Sequence, residues 1–168
     1  VKALKNISAT LLNNKSNILN ENKKDINEGL KNHISNSLLD RLTLKESNID
    51  SLAKMCLEIA HQKQVVGTIV QNATRSDGLV IQKQRIPLGV IGMIFESRPN
   101  VVIDGAALAI KSGNAIILKG GKEAKFSNRI LFKIIEEATK DILPIGSIAL
   151  IETRDEINEL LSLNQYID

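Results

Sequence analysis

Apolar positions follow two regimes along the chain. Through residues 1–64 they recur every three or four residues between polar stretches, and from residue 87 they gather into short solid runs separated by longer amphipathic segments. In the first regime Leu4, Ile7, Leu11 and Leu12 form one stripe and Ile18, Leu19, Ile26 and Leu30 a looser one. This predicts one or two amphipathic helices over residues 1–32, with Gly29 as the stop. Residues 33–42 read as a connector or short helix. Thr43-Leu-Lys-Glu46 has capping-box spacing, and the helix it opens carries Ile49, Leu52, Ala53, Cys56, Ile59 and Ala60 on one face. Residues 65–86 read as a hairpin: a β-branched Thr68-Ile-Val, a Ser76-Asp77-Gly78 turn, then alternation over Leu79–Arg85. Such a hairpin can pair with another subunit as an exposed edge or cap the main sheet, and the pattern leaves both open.

In the second regime Val90–Phe95 is a run expected to be a strand buried on both faces, with Pro87 ahead of it. Val102–Lys111 follows as a small-residue helix stopped by Gly113, then Ala115–Leu118 as a second strand. Lys122–Lys140 is a long helix with Ile130, Leu131, Ile134, Ile135 and Ala138 on one side. Ser147–Ile151 is a third strand, and Thr153-Arg-Asp-Glu156 caps a last helix through Ile157, Leu160 and Leu161. The order βαβαβα predicts an α/β fold: a Rossmann-like parallel sheet of three βα units, preceded by N-terminal helices and a β-hairpin. Ligands of such sheets sit beyond the carboxyl ends of the strands. Three segments occupy that edge: Glu96–Asn100, Lys119–Glu123 and Glu152–Asp155. The expected divisions are residues 1–64 (helical), 65–86 (hairpin) and 87–168 (first part of an α/β domain). The chain opens on Val and stops where the alternation calls for another strand, so it is expected to continue in the native protein.

Composition changes this picture little. A net charge of +3 with interspersed signs and 2% aromatics argues against a nucleic-acid surface. The single cysteine, Cys56, excludes an internal disulfide and fits a reducing compartment. With no long apolar run, a cytoplasmic location is the expectation. Cys56 lies in a helix stripe, where it reads as a small core residue. His33 and His61 read as surface residues, without neighbours at metal-ligand spacing.

Candidate chemistry therefore concentrates at the strand ends. After the second strand, Lys119-Gly120-Gly121 offers a cation and two residues that let a backbone approach a phosphate or ribose closely. The helix N-terminus beside it favours anions, and Glu123 can accept from a ribose hydroxyl. A standard dinucleotide fingerprint and a P-loop are both missing. After the first strand, Glu96-Ser-Arg-Pro-Asn100 offers Arg98 for a substrate anion and Asn100 as an amide donor to an oxyanion, or alternatively as a helix cap.

The stretch PLGVIGMIFESRPNVVIDGAALAIKSGNAIILKGGKEA resembles the gamma-glutamyl phosphate reductase family of the aldehyde dehydrogenase superfamily. The match is densest over Pro87–Asn128 and looser back to Leu39–Thr43 and forward to Glu152–Asp155. The resemblance implies NADPH-dependent reduction of L-glutamyl 5-phosphate to L-glutamate 5-semialdehyde in proline biosynthesis. It implies a cysteine nucleophile forming a thioester, carried by a later domain that these residues do not include; Cys56 does not match it. This chain by itself is thus expected to lack reductase activity. It implies cofactor contacts by Glu96, Ser97, Lys119, Gly120, Gly121 and Glu123, with Glu123 matching only when one extra residue is allowed. The family's oxyanion Asn falls on Arg98 without gaps and on Asn100 with a two-residue shift; an amide donor suits the role, so Asn100 is preferred. Implied partners are further copies of the chain and glutamate 5-kinase, with no nucleic acid and no membrane. Readings left open are another semialdehyde dehydrogenase, or a non-catalytic nucleotide-binding or oligomerisation module.

Overall fold

The computed structural model describes residues 1–163 and 165–167. Four helices open the chain: α1 (Lys2–Asn13), α2 (Lys15–Lys31), α3 (Asn36–Leu42) and α4 (Glu46–His61). A hairpin of β1 (Ile69–Thr74) and β2 (Val80–Gln84) follows. Then come β3 (Val90–Ile94), α5 (Val101–Ser112), β4 (Ala115–Lys119), α6 (Lys125–Thr139), β5 (Ile148–Ile151) and α7 (Arg154–Ser162). A single 3-10 turn, Lys122–Ala124, leads into α6.

The parallel sheet has the order β3-β4-β5. Its register aligns Ile91 with Ile116 and Met93 with Leu118, then Ile116 with Ile148 and Leu118 with Leu150. All of these residues belong to one hydrophobic core with α1, α4, α5 and α6. Right-handed crossovers between neighbouring strands place α5 and α6 on the same face, and α1 and α4 pack over them. The core is aliphatic throughout, with Leu4, Ile7, Leu11, Ile49, Ile103, Leu131 and Ile135 fully enclosed.

The opposite face carries much less. Gly92 and Ile94 of β3 are exposed there, so the expectation of a strand buried on both faces fails for β3. An unbroken apolar run reports how buried a strand can be, not how many layers cover it. What this face holds is α7: Leu160 approaches the backbone of Gly92. The chain leaves β5 and crosses back to β3, reversing its direction of travel across the sheet.

Helix α5 lies close to the sheet because Gly105 faces it. A Cβ at Gly105 would come within 2.7 Å of Met93 Sδ and 3.2 Å of Leu118 Cδ2. Gly105→Leu is therefore expected to cost about 1–3 kcal/mol of stability through overpacking, read as a lower urea midpoint with an unchanged slope. Gly113 ends α5 at φ 72°, as its position predicts.

Local expectations shift in four places. Helix α2 runs past Gly29 to Lys31, because Gly29 is packed against Ile34 and Leu39 instead of capping. Leu12 and Leu30 are exposed, so neither stripe is as wide as the pattern suggests. Thr43 does not open α4: its hydroxyl donates to Leu39 O at 2.7 Å, and the helix begins at Glu46 with Asn48 Oδ1 accepting from Lys45 N–H at 2.8 Å. The cause is tertiary. Asn22 of α2 bonds both Leu42 O (2.8 Å) and Leu44 N–H (2.9 Å), pinning residues 42–44 in an extended form. The long helix predicted from Lys122 begins as the 3-10 turn and becomes α-helical only at Lys125.

The hairpin forms its own two-stranded sheet, apart from the parallel one, with both strands exposed throughout. Its turn is the one the Asp-Gly pair predicts. Gly78 sits at φ 88°, Arg75 O accepts from Gly78 N–H at 3.0 Å, and Asp77 Oδ1 accepts from Leu79 N–H at 3.2 Å.

Candidate functional site

Register brings the chemistry together. Ile94 pairs with Lys119 and Lys119 with Ile151, so the loops after β3, β4 and β5 leave one edge side by side. Two contacts tie those loops. Ser97, only 1% exposed, donates its hydroxyl to Glu123 Oε1 at 2.6 Å. Arg129 of α6 grips Glu152 with two parallel bonds, Nε to Oε1 at 2.5 Å and Nη2 to Oε2 at 2.6 Å. The Arg129 bond is also the main reason the Glu152 carboxyl is held below its usual range.

Gly120 and Gly121 do not need to be glycine for their φ angles, since neither has a positive one. What a side chain would meet there is crowding. A Cβ at Gly120 would overlap the Asn128 side-chain amide and stand 3.0 Å from the Phe95 ring, and one at Gly121 would overlap the Glu123 carboxylate. The room that sequence reading reserves for a phosphate is partly taken by the protein's own side chains. Gly121→Ala is expected to push Glu123 off Ser97, visible as loss of the 2.6 Å contact in a crystal structure of the variant.

The helix N-terminus expected to attract an external anion already has an internal one. Asp25 of α2 accepts from Phe126 N–H (3.0 Å), Ser127 N–H (2.7 Å) and the Ser127 hydroxyl (2.6 Å). It caps α6 from another helix. Burial nonetheless pushes its carboxyl above the ordinary value, the three bonds pulling the other way.

What remains open at this edge is a crevice between α6 and β5. Gly120, Lys122, Lys125 and Asn128 line one side and Leu150–Thr153 the other. Lys119, half-buried, ends the strand beside it. Among the described residues none of Lys119, Lys122 and Lys125 is ion-paired. Asn128 is 4% exposed and its Oδ1 has no hydrogen-bond partner. A buried carbonyl oxygen without a donor is costly, and it belongs to a side chain that lines the crevice. Sequence reading passes over Asn128 as well as Asp25, although extending the Leu131–Ile135 stripe back one turn lands on Ser127 and Asn128.

The turn after β3 has a different outlook. Glu96 and Arg98 are exposed, and Arg98 N–H donates to Glu96 O at 2.6 Å. Asn100 precedes α5 but its side chain does not cap it. Instead Nδ2 donates to Asp104 Oδ2 at 2.9 Å. Asp104 is held above the usual carboxylate range by burial, with the Asn100 bond opposing. Arg98, Asn100 and Asp104 line a cleft separate from the α6–β5 crevice.

Cys56 sits inside the core, and burial, with the charge of Asp104 adding to it, pushes its thiol up to about 12. Only about one part in ten thousand is then thiolate at pH 8. Iodoacetamide at that pH is expected to leave Cys56 unmodified until denaturant is added, by intact-mass measurement. Among the described residues there is no cluster of three His, Cys, Asp or Glu side chains able to hold a metal, and no helix long and apolar enough to cross a membrane.

The sequence pattern of the aldehyde dehydrogenase family matches residues 5–168. Over 169 residues the chain is 46% identical to a gamma-glutamyl phosphate reductase of Clostridium novyi, covering 99% of this chain and 40% of that protein. The crystal structure of gamma-glutamyl phosphate reductase from Thermotoga maritima superposes with a TM-score of 0.94 at 38% identity, over 99% of this chain and 41% of that one. The Saccharomyces cerevisiae enzyme of the same name gives 0.92 at 35% identity, over 99% and 43%. The chain thus spans about 40% of the length of the curated relatives it matches.

Proposed function

The chain belongs to the aldehyde dehydrogenase family, and on that premise we propose that it forms the cofactor-facing part of an enzyme reducing L-glutamyl 5-phosphate to L-glutamate 5-semialdehyde with NADPH. The observation that carries this reading is the 46% identity to a relative of that name, which extends over both strand-end loops and the helices behind them.

The α6–β5 crevice fits a nicotinamide dinucleotide. It offers the Asn128 side chain for a hydroxyl or amine and lysines without an ion-pair partner for phosphate. Lys119 and Glu123 would hold the adenosine ribose, with Glu123 steadied by Ser97. Lys122 and Lys125 would meet a 2′-phosphate, which favours NADPH over NADH. Bound there, the cofactor supplies a hydride. The turn Glu96–Asn100 would hold the reacting end of the substrate, with Arg98 as its cation and the Asn100 amide as donor to the carbonyl oxygen.

The test is the reverse reaction of the full-length enzyme: phosphate-dependent reduction of NADP with glutamate semialdehyde. Turnover of simple aldehydes with none of the semialdehyde would replace this reading by another aldehyde dehydrogenase activity. In the same assay Lys119→Ala is expected to raise the KM for NADP about tenfold or more while changing kcat little, as loss of a charge-assisted contact to bound cofactor does.

A further inference from the structure

The cleft beneath the Glu96–Asn100 turn has a second wall that comes from the N-terminal helices. Asp40 and Arg41, at the end of α3, line it together with Arg98, Asn100 and Asp104, over a floor that includes Met55. Two guanidiniums therefore share one cleft, one from each side of the chain's division between helices and sheet. Neither Arg41 nor Arg98 has an ion-pair or hydrogen-bond partner for its side chain among the described residues, and Asp40 has none either. The other polar side chains of this wall are already engaged. Thr43 Oγ1 donates to Leu39 O at 2.7 Å, Ser51 Oγ to Ser47 O at 2.8 Å, and Asn48 Oδ1 accepts from Lys45 N–H at 2.8 Å.

We propose that Arg41 binds the α-carboxylate of the substrate and that Asp40 receives its α-ammonium, so that the α3 end selects an amino-acid acyl phosphate while Arg98 and Asn100 hold the reacting end. This rests on the function proposed above and names a substrate subsite within it. The chemistry follows from the donor set. A guanidinium presents a planar fork that matches a carboxylate. A neighbouring carboxylate makes the pair selective for a zwitterion over a plain acid. The cleft opens beside the turn after β3, so a substrate lying along it has its far end at α3. The position of α3 is fixed by the Asn22 bonds to Leu42 O and Leu44 N–H, which make its end a rigid wall.

The experiment compares L-glutamate 5-semialdehyde with 4-aminobutanal, which lacks only the α-carboxylate, in the reverse reaction of the full-length enzyme. Arg41→Ala is expected to lower the wild-type preference for the semialdehyde, as a ratio of kcat/KM values, by about 10- to 100-fold, the range for one charge-assisted contact. Most of the loss should appear in KM, and Arg41→Lys should recover part of it. An unchanged preference in Arg41→Ala, with wild-type turnover intact and the same KM for NADP, overturns the assignment of Arg41. No turnover of either aldehyde by the wild type overturns the function beneath it, a result separate from the first.

Discussion

Replacing Asp25 with alanine is expected to lower the unfolding free energy by about 3 kcal/mol, as much as truncating a buried aliphatic side chain. The side chain is 1% exposed and is the acceptor for three donors at the start of α6. Alanine leaves two amides and a hydroxyl facing a hole, and Ser127 is fully buried beside it. The effect should depend on pH in a defined direction. Burial raises the carboxyl of Asp25 above its ordinary 3.8. A group with a raised folded-state pKa contributes most below its unfolded pKa, and that part is lost as pH climbs through the folded value. The stability difference between wild type and Asp25→Ala should thus be greatest below about pH 4, shrink as pH rises, and then level off, in urea unfolding series. A difference that grows with pH would mean that the three bonds outweigh desolvation and that the carboxylate is a net stabiliser. Asp25→Asn keeps one acceptor oxygen and should recover part of the loss with a flat pH profile.

The alternation from β3 to α7 was legible because each strand is a short, nearly unbroken apolar run and each helix repeats every three to four residues. Gly113 and the Thr153–Glu156 box were legible because their chemistry is local: a left-handed cap, and a hydroxyl and carboxylate three residues apart that bond as the motif requires. What escaped is tertiary and polar. The buried stripe of α2 is Ile18, Asn22, Asp25 and Gly29, at helical spacing, yet its middle members look like solvent residues. Their partners lie across the fold, in the 42–44 segment and at the head of α6. The same contacts moved the start of α4 off Thr43. At the clefts the lesson repeats. Sequence places Glu96–Asn100 and Lys119–Glu123 at one edge because parallel strands must end together. It gives no sign that Arg41, in what reads as a connector or short helix, lines the same cleft as Arg98, since only the packing of α3 brings the two there.

Asn100→Ala is expected to reduce kcat of the full-length enzyme about 100- to 1,000-fold, the cost of removing one oxyanion donor, with little change in the KM for NADP. The amide already gives one hydrogen to Asp104 Oδ2 at 2.9 Å. An amide nitrogen carries two, so the second is free for a carbonyl oxygen, and the first fixes the direction in which the second points. A purely structural role predicts something else. If Asn100 matters only as the partner of Asp104, then Asp104→Ala should reproduce the loss, because it removes the same hydrogen bond. If the amide itself meets the substrate, Asp104→Ala should cost clearly less than Asn100→Ala, since the donor stays and only its orientation is loosened, and Asp104→Asn should keep most of the rate because it still offers an acceptor oxygen to the same hydrogen. Asp104 also sets a pH test. Burial holds its carboxyl above the ordinary range and the Asn100 bond draws it down, so removing the amide should push it further up. The Asn100→Ala variant would then carry a protonated Asp104 to higher pH, and the stability lost as Asp104 ionises should be lost at higher pH than in the wild type, read in urea unfolding across pH. Arg98→Ala separates the last alternative. A guanidinium that binds only the substrate's anion should affect KM most, whereas a kcat loss larger than that of Asn100→Ala would move the oxyanion role to Arg98, the position that the ungapped match to the family selects.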